Sequence, residues 1–154
     1  MIEIRKAIEK DITGIRELFR QTILSVNLKD YTPEQAKAWA DRGNDNEVWK
    51  ERIAEQYFIV AEINNVIVGF AALKPDGYLN SMFVHKDYQG IGIASALLND
   101  IEKQVNISGL NEITADVSIT ANPFFEKRGF KVLKQQTVDI GIEMINYVMI
   151  KVLK

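Results

Sequence analysis

The chain predicts a mixed α/β (α+β) fold, in which one sheet holds both parallel and antiparallel strands and helices cover both of its faces. Three features of the sequence lead there. Apolar residues follow a helical period through most of residues 12–53 and a strand period from Tyr57 onward. A strand, a helix and a further strand follow one another over residues 78–119, which is the pattern of a right-handed parallel unit. The segments on either side are joined by short turns and should pair as antiparallel hairpins. With 154 residues, and no repeat, low-complexity tract or linker, residues 1–154 suit a single domain with one core.

The elements follow in order. Ile2, Ile4 and Ala7 begin an alternating strand. Ile12, Ile15, Leu18, Phe19 and Ile23 then recur at helical spacing, with Asp11 placed as a start signal. A polar stretch, Asn27 to Tyr31, separates this helix from the next. In Thr32-Pro33-Glu34-Gln35, Thr32 can cap, Pro33 suits the first helical position and Gln35 completes a capping box. That helix carries Trp39 and should end near Gly43. Val48, Trp49, Arg52 and Ile53 suggest another short helix. Tyr57 to Ile63 and Val66 to Leu73 are strands about the turn Asn64-Asn65, and Pro75-Asp76-Gly77 turns the chain into a third strand, Tyr78 to Val84. After the loop His85 to Gly92, Ala94, Leu97, Leu98, Ile101 and Val105 form one apolar helix face. Glu112 to Ile119 is a strand, Pro123 to Lys127 a short helix ended by Gly129, and Phe130 to Val138 and Met144 to Leu153 a last pair of strands.

Composition narrows the chemistry. The chain is 47% hydrophobic and 26% charged, as in an ordinary globular protein, and its 19 basic and 21 acidic residues give a net charge of −2. No basic excess points to nucleic acid. Without cysteine there is no disulfide framework, thiolate nucleophile or Cys-based zinc site, and the single histidine, His85, cannot build a multi-His metal site. No metal is expected. Met1-Ile2-Glu3-Ile4-Arg5 lacks the pattern of a signal peptide, and no apolar run reaches the roughly 20 residues that cross a bilayer. The expectation is a cytoplasmic protein, monomer or homodimer, that does not meet a membrane.

The strongest local signal is Val84-His85-Lys86-Asp87-Tyr88-Gln89-Gly90-Ile91-Gly92-Ile93-Ala94, which places glycines between a strand and a helix start. Free backbone N–H groups at a helix N-terminus favour an anion such as a pyrophosphate, and glycine lets the phosphate approach the backbone. A P-loop would need Gly-x-x-x-x-Gly-Lys-Ser/Thr, which is absent. A dinucleotide fingerprint would need a third glycine where Ser95 stands, although Glu112 lies at the distance expected of a ribose partner, so a nucleotide-binding oxidoreductase stays as a distant alternative. A plain strand-helix turn that uses glycine for its conformation is the simplest alternative.

Gln89, Gly92 and Ala94 also fit Gln/Arg-x-x-Gly-x-Gly/Ala, the acetyl-CoA loop of the GNAT superfamily. Leu79, Met82, Phe83 and Val84 match the strand before it, and Ala96-Leu97-Leu98 the helix after it. Downstream, Ser118 to Phe130 resembles the superfamily's Asn-x-x-Ala-x-x-Phe-Tyr-x-x-x-Gly-Phe stretch. Two such motifs in the right order are specific together, and the resemblance covers most of the chain. Tyr31-Thr32-Pro33-Glu34-Gln35 followed by Ala38-Trp39-Ala40 resembles the bacterial YafP-like branch.

The resemblance implies a mostly antiparallel sheet splayed between its two central parallel strands, and an N-acetyltransferase that moves an acetyl group from acetyl-CoA to an amine acceptor. It implies that the backbone of Met82, Phe83 and Val84 pairs with the pantetheine arm, and that Gln89, Gly90, Ile91, Gly92, Ile93 and Ala94 take the pyrophosphate. Two positions depart from the family. Its Asn is Ser118 here, and its Tyr, whose hydroxyl faces the CoA sulfur as general acid in many members, is Phe125. Either another hydroxyl serves, with Tyr78 the first candidate and Tyr147 the second, or the thiolate leaves unassisted, or the chain is a sensor that binds acyl-CoA without turning it over. The family's base position falls on Tyr78, a poor base with a pKa near 10. Glu62 and Asp116 are other candidates, though strand carboxylates are more often solvated. Tyr31, Trp39 and Trp49 lie in the region that lines the acceptor site in this superfamily. Tyr31 and Trp39 are the substrate-binding candidates, although aromatics at helical spacing are more often core.

Overall fold

The structure, a computed structural model, describes residues 1–153. Among these, seven strands form one sheet in the order β1-β2-β3-β4-β5-β7-β6. They are β1 (Glu3–Lys6), β2 (Tyr57–Ile63), β3 (Val66–Leu73), β4 (Tyr78–Val84), β5 (Glu112–Ser118), β6 (Lys131–Asp139) and β7 (Glu143–Val152). The helices are α1 (Ile12–Ser25), α2 (Pro33–Asp41), α3 (Asn46–Glu55), α4 (Ile93–Ile107) and α5 (Asn122–Lys127). Every neighbouring pair is antiparallel except β4 and β5, which are parallel as the intervening helix requires. The mixed sheet, its parallel pair and the order of helices and strands follow the sequence expectation.

Alternation along the central strands sends two apolar sets to opposite faces. Ile59, Ala61, Val68, Ala71 and Leu73 pack with Leu97, Leu98 and Ile101 of α4. Phe58, Val60, Phe70 and Ala72 pack with α1, α2 and Trp49 of α3. Trp49 is fully buried, its ring edge-on to Phe19 at 5.3 Å and to Phe70 at 5.6 Å. Its indole N–H donates to the Gly43 carbonyl at 2.8 Å, so Trp49 is a core residue. Gly43 lies two residues beyond the end of α2, and a Cβ there would come within 2.5 Å of the Phe19 ring.

Local chemistry accounts for most element ends. Thr32 Oγ1 accepts from Gln35 N at 3.1 Å and Gln35 Oε1 accepts from Thr32 N at 2.9 Å, which is the capping box expected at α2. Asn64 and Asn65 both take positive φ, the conformation of a tight hairpin turn. Two expectations differ. Asp11 does not cap α1: its carboxylate accepts from both terminal nitrogens of Arg5 at 2.8 Å and from Ile8 N at 2.8 Å, fixing β1 against a short 3-10 turn before the helix. The polar stretch at Asn27 is a second 3-10 turn, and its ends, Asn27 and Tyr31, are buried.

One irregularity in β4 shapes everything downstream. Ala72 pairs with Ser81 but Leu73 pairs with Leu79, so Asn80 is an extra residue with no ladder partner in β3. The bulge shifts the phase of the strand. Leu79, Met82 and Val84 all pack on the α4 side, while Phe83 turns to the α1–α3 side.

The Arg5–Asp11 pair, continued by Arg5 Nε to Glu62 at 2.8 Å, ties the first strand to the sheet. The Arg5 hydrogen bonds hold the Asp11 carboxyl below its ordinary range. A carboxylate that binds its proton less readily when folded stabilises the fold above the unfolded carboxylate range, and that stability is lost as pH falls through the folded value. Asp11→Asn is therefore expected to cost about 1–3 kcal/mol at pH 7. Its deficit against the wild type should shrink as pH drops below about 4, in urea titrations at several pH values.

Candidate functional site

A cavity of about 760 Å³ opens where β4 and β5 part. The two strands pair only at Tyr78–Thr114 and Leu79–Ala115. From Asn80 to Val84 the β5-facing edge of β4 has no strand partner, a run of five residues at about 3.3 Å each. The apex of the gap coincides with the bulge at Asn80. Val84 O is taken by side chains, accepting from Thr22 Oγ1 at 3.1 Å and from Gln89 Nε2 at 2.7 Å, and the rest of this edge requires either water or a ligand that pairs like a strand.

At the wide end of the gap lies the glycine loop. Gly90 and Gly92 have φ of 75° and 94°, in the left-handed region. A Cβ on either would meet nothing within 4 Å, so open space stands above the loop. Gly92 caps α4 without a side chain, and Ala96 N is the helix amide that bonds back to Gly92 O, which leaves the amides of the first turn free to face an anion. Ile93, almost fully buried, anchors that turn to the core. The Gln89 amide folds back and donates to Val84 O at 2.7 Å and His85 O at 3.3 Å, so Gln89 shapes the loop and leaves its backbone turned outward. His85 Nδ1 accepts from Asp87 N at 3.0 Å and braces the same turn.

The other wall comes from β5 and α5. Ser118 Oγ accepts from Ala121 N at 3.1 Å and holds the entry to α5. Phe125 is buried between the rings of Phe124 and Phe130, 5.4 and 5.0 Å away, and lines the cavity. Lys127 and Arg128 reach the cavity from the end of α5, and the Arg128 guanidinium donates to Ser95 Oγ in the first turn of α4. The sequence shows them only as adjacent cations near the end of the second motif, and nothing local reveals that Arg128 meets the start of α4.

The far side is closed by a segment from before α2. Tyr31 is buried, its hydroxyl donates to Ile145 O at 2.7 Å, and it accepts from Ile119 N at 3.0 Å. Thr120 Oγ1 donates to Asp30 at 2.8 Å and Gln35 Nε2 donates to Glu143 O at 2.9 Å, reinforcing the same clamp. The Tyr31 hydroxyl is therefore committed to backbone. Burial first of all pushes its pKa up. Trp39 stands half-buried beside it, ring centroids 5.7 Å apart, and also touches Phe83.

Tyr78 lies at the apex and donates to Asp116 Oδ2 at 3.1 Å. Burial and then the Asp116 charge push the phenol up to about 12, which keeps it protonated at neutral pH and disfavours it as a base. Asp116 lines the cavity, whereas Glu62 is engaged by Arg5 at the far edge of the sheet. Tyr147 does not line the cavity: it pairs with Val117 and packs on the α4 side, while the next residue toward the turn, Asn146, turns inward. The Ile91 side chain likewise points to solvent, leaving only its backbone for the loop. Met82, Phe83, Val84, Gln89, Gly90, Gly92, Ile93, Ala94, Ser118, Phe125, Tyr31, Trp39 and Tyr78 all border the cavity.

Known proteins similar to this chain share its fold and family. A family model described as an acetyltransferase (GNAT) domain matches residues 27–151. The chain is 37% identical over 138 residues, 90% of its length and 87% of the relative's, to the uncharacterised N-acetyltransferase YafP of Escherichia coli K12. A GCN5-related N-acetyltransferase from Rhodopseudomonas palustris superposes with a TM-score of 0.94 at 33% identity, covering 98% of this chain and 95% of that one. The PaiA N-acetyltransferase from Thermoplasma acidophilum, solved in complex with coenzyme A, shares the fold with a TM-score of 0.83 at 24% identity, over 99% of each chain.

Removing the Tyr31 hydroxyl leaves Ile145 O and Ile119 N without their partner. Tyr31→Phe should cost about 1–3 kcal/mol in denaturant unfolding while the fold persists. A change indistinguishable from zero would show that the clamp does not hold the cavity wall.

Proposed function

Because the chain belongs to the GNAT acetyltransferase family, with YafP among its relatives, we propose that it is a cytoplasmic, single-domain N-acetyltransferase that moves the acetyl group of acetyl-CoA to a primary amine. The observation that carries this is the divergence of β4 from β5, with an anion-binding helix start at its wide end and a proton-handling pair at its apex. The unpaired edge of β4 offers backbone to the amides of an extended pantetheine arm. The pyrophosphate then falls on the amides from Gly90 to Ala94, with Lys127 and Arg128 beside it. The thioester comes to the apex, next to the bulge at Asn80.

Acetyl-CoA supplies an activated acyl group. The amine nitrogen bonds to the acyl carbon, the carbon–sulfur bond breaks, and one proton passes in net from the amine to the leaving sulfur. An amine arriving as an ammonium ion must first give up another proton. Asp116 is the cavity carboxylate that can take it, held in place by the Tyr78 hydroxyl. Tyr78, protonated at neutral pH and bonded to Asp116, is the cavity hydroxyl that takes the donor role in this reading, since Phe125 has none. The two reactants are brought together by the walls described above, and that positioning is the larger part of what such a site contributes.

The test is a thermal shift with acetyl-CoA and release of free CoA thiol over a panel of amines. Gly92→Asp puts a carboxylate on a left-handed backbone position facing the pyrophosphate. The acetyl-CoA shift should disappear although the apo protein still melts cooperatively, and a retained shift would remove the loop from the site.

Tyr78→Phe and Asp116→Asn should each lower kcat by about tenfold or more and leave the acetyl-CoA KM nearly unchanged. Phe125→Tyr should change little if Tyr78 already donates, and raise kcat if no protein group does. A second reading, a sensor that binds acyl-CoA without turnover, draws on the missing hydroxyl at Phe125. Tight acetyl-CoA binding with no thiol release from any amine would favour it.

A further inference from the structure

Two arginines reach the cavity from the face opposite α5. Arg42 follows the last residue of α2, and Arg52 lies on α3 with its guanidinium 5.2 Å from the centre of the Trp49 ring. Neither has an ion pair or a side-chain hydrogen bond among the described residues. The carboxylate next to Arg42, Asp41, is already taken by Arg20 at 2.8 Å and Lys37 at 2.7 Å. Asp116 is held by Tyr78. Burial and then the charge of Arg42 push the Arg52 pKa down. Arg42 stands exposed at the cavity mouth and Arg52 is half-buried behind it, so the two like charges face one opening with no protein counter-ion, which suits an anion arriving from solvent.

The same side of the cavity holds two further polar groups with no protein partner. Asn27 is 5% exposed and Ser81 is 8% exposed, both line the cavity, and neither side chain bonds to another described residue. Asn27 is not among the fully enclosed unsatisfied groups, so what remains accessible of it faces the cavity. A buried amide left without a partner is as expensive as an unmade hydrogen bond, and it points to a polar ligand. Lys127 and Arg128, by contrast, approach from α5 and suffice for the pyrophosphate end.

We propose that the acceptor is an amine that also carries an oxyanion, a carboxylate or a phosphate, held by Arg42 and Arg52, with Asn27 and Ser81 contacting its polar body. The proposal rests on the transferase reading above and names the acceptor class for that same cavity. The planar guanidinium forks suit the paired oxygens of either anion. Bound there, the anion leaves the amine to extend along the α1–α3 face toward Tyr78 and Asp116.

The experiment pairs the protein amino acids with their carboxamides and phosphoethanolamine with ethanolamine, and adds spermidine as a cationic control. Thiol release is followed at saturating acetyl-CoA, and acetyl-CoA affinity is measured separately by calorimetry. At least one oxyanionic amine should exceed its neutral counterpart about tenfold in kcat/KM, and the two series distinguish carboxylate from phosphate. Arg42→Gln and Arg52→Gln should each raise its KM by about tenfold to a hundredfold, with Arg52→Lys recovering part of the loss and the acetyl-CoA Kd unchanged. Preference for carboxamides, ethanolamine or spermidine would overturn the proposal while leaving the transferase intact. A matching loss of acetyl-CoA affinity would overturn it too, by assigning the arginines to CoA. If no amine turns over, the oxyanions are titrated into the CoA-saturated protein, and absence of arginine-dependent binding overturns it. Failure of acetyl-CoA itself to bind the wild type is a different result, and it removes the transferase reading instead.

Discussion

The pairing between β4 and β5 stops after two residues, and the rest of the molecule is arranged around that interruption. Parallel neighbours in a sheet normally run together for their full length. Here the extra residue at Asn80 bends β4 and reverses its phase at the point where β5 would otherwise continue beside it. Five residues of backbone are left with one edge open. An open edge in the middle of a sheet is unstable by itself, because it exposes unpaired donors and acceptors and invites the neighbouring strand to close on them. The wedge of Phe124 and Phe125 on one side and the Tyr31 clamp on the other keep the walls apart. Function in this chain is a sheet held back from completing itself.

Charge is distributed along the same line. Lys127 and Arg128 stand with the helix start at one end, Arg42 and Arg52 on the opposite face, and a carboxylate with its phenol lies at the apex between the diverging strands. A chain with a net charge of −2 therefore presents a locally basic cavity mouth, whose potential favours anions whatever the overall charge.

The fold was legible because its signals are local. The Thr32 capping box, the Asn64-Asn65 turn and the switch of period at Tyr57 each depend on a few neighbouring residues, and the strands β2, β3 and β4 came out with the bounds expected. The left-handed turn at Gly90 and Gly92 before α4 was legible for the same reason. What escaped were features made by residues far apart in the chain. Asp11 looked like a cap because nothing nearby reveals Arg5 as its partner. The backbone bonds of the Tyr31 hydroxyl were hidden because its partners, Ile119 and Ile145, lie 88 and 114 residues away. Tyr147 was misplaced because its facing depends on the register of β5 with β7. The bulge at Asn80 left no composition signal, yet it decides where the cavity begins. Arg42, just after α2, and Arg52, on α3, resemble any solvated cations until the fold brings both to the mouth of one cavity.

The strand order has a consequence for the chain as it is being made. β7, made after the other strands of this sheet, inserts between β5 and β6, both of which precede it. Until it emerges from the ribosome, β5 has one edge bare, β6 has no neighbour, and Tyr31 lacks the carbonyl its hydroxyl will reach. The glycine loop and α4 can be in place by then, but the cavity has no floor. Assembly must therefore wait for contacts that are distant in sequence, which makes this sheet slow to finish and leaves a bare edge meanwhile. A nascent chain stalled before Glu143 would already carry the glycine loop and α5 while the Tyr31 clamp still lacked its Ile145 half.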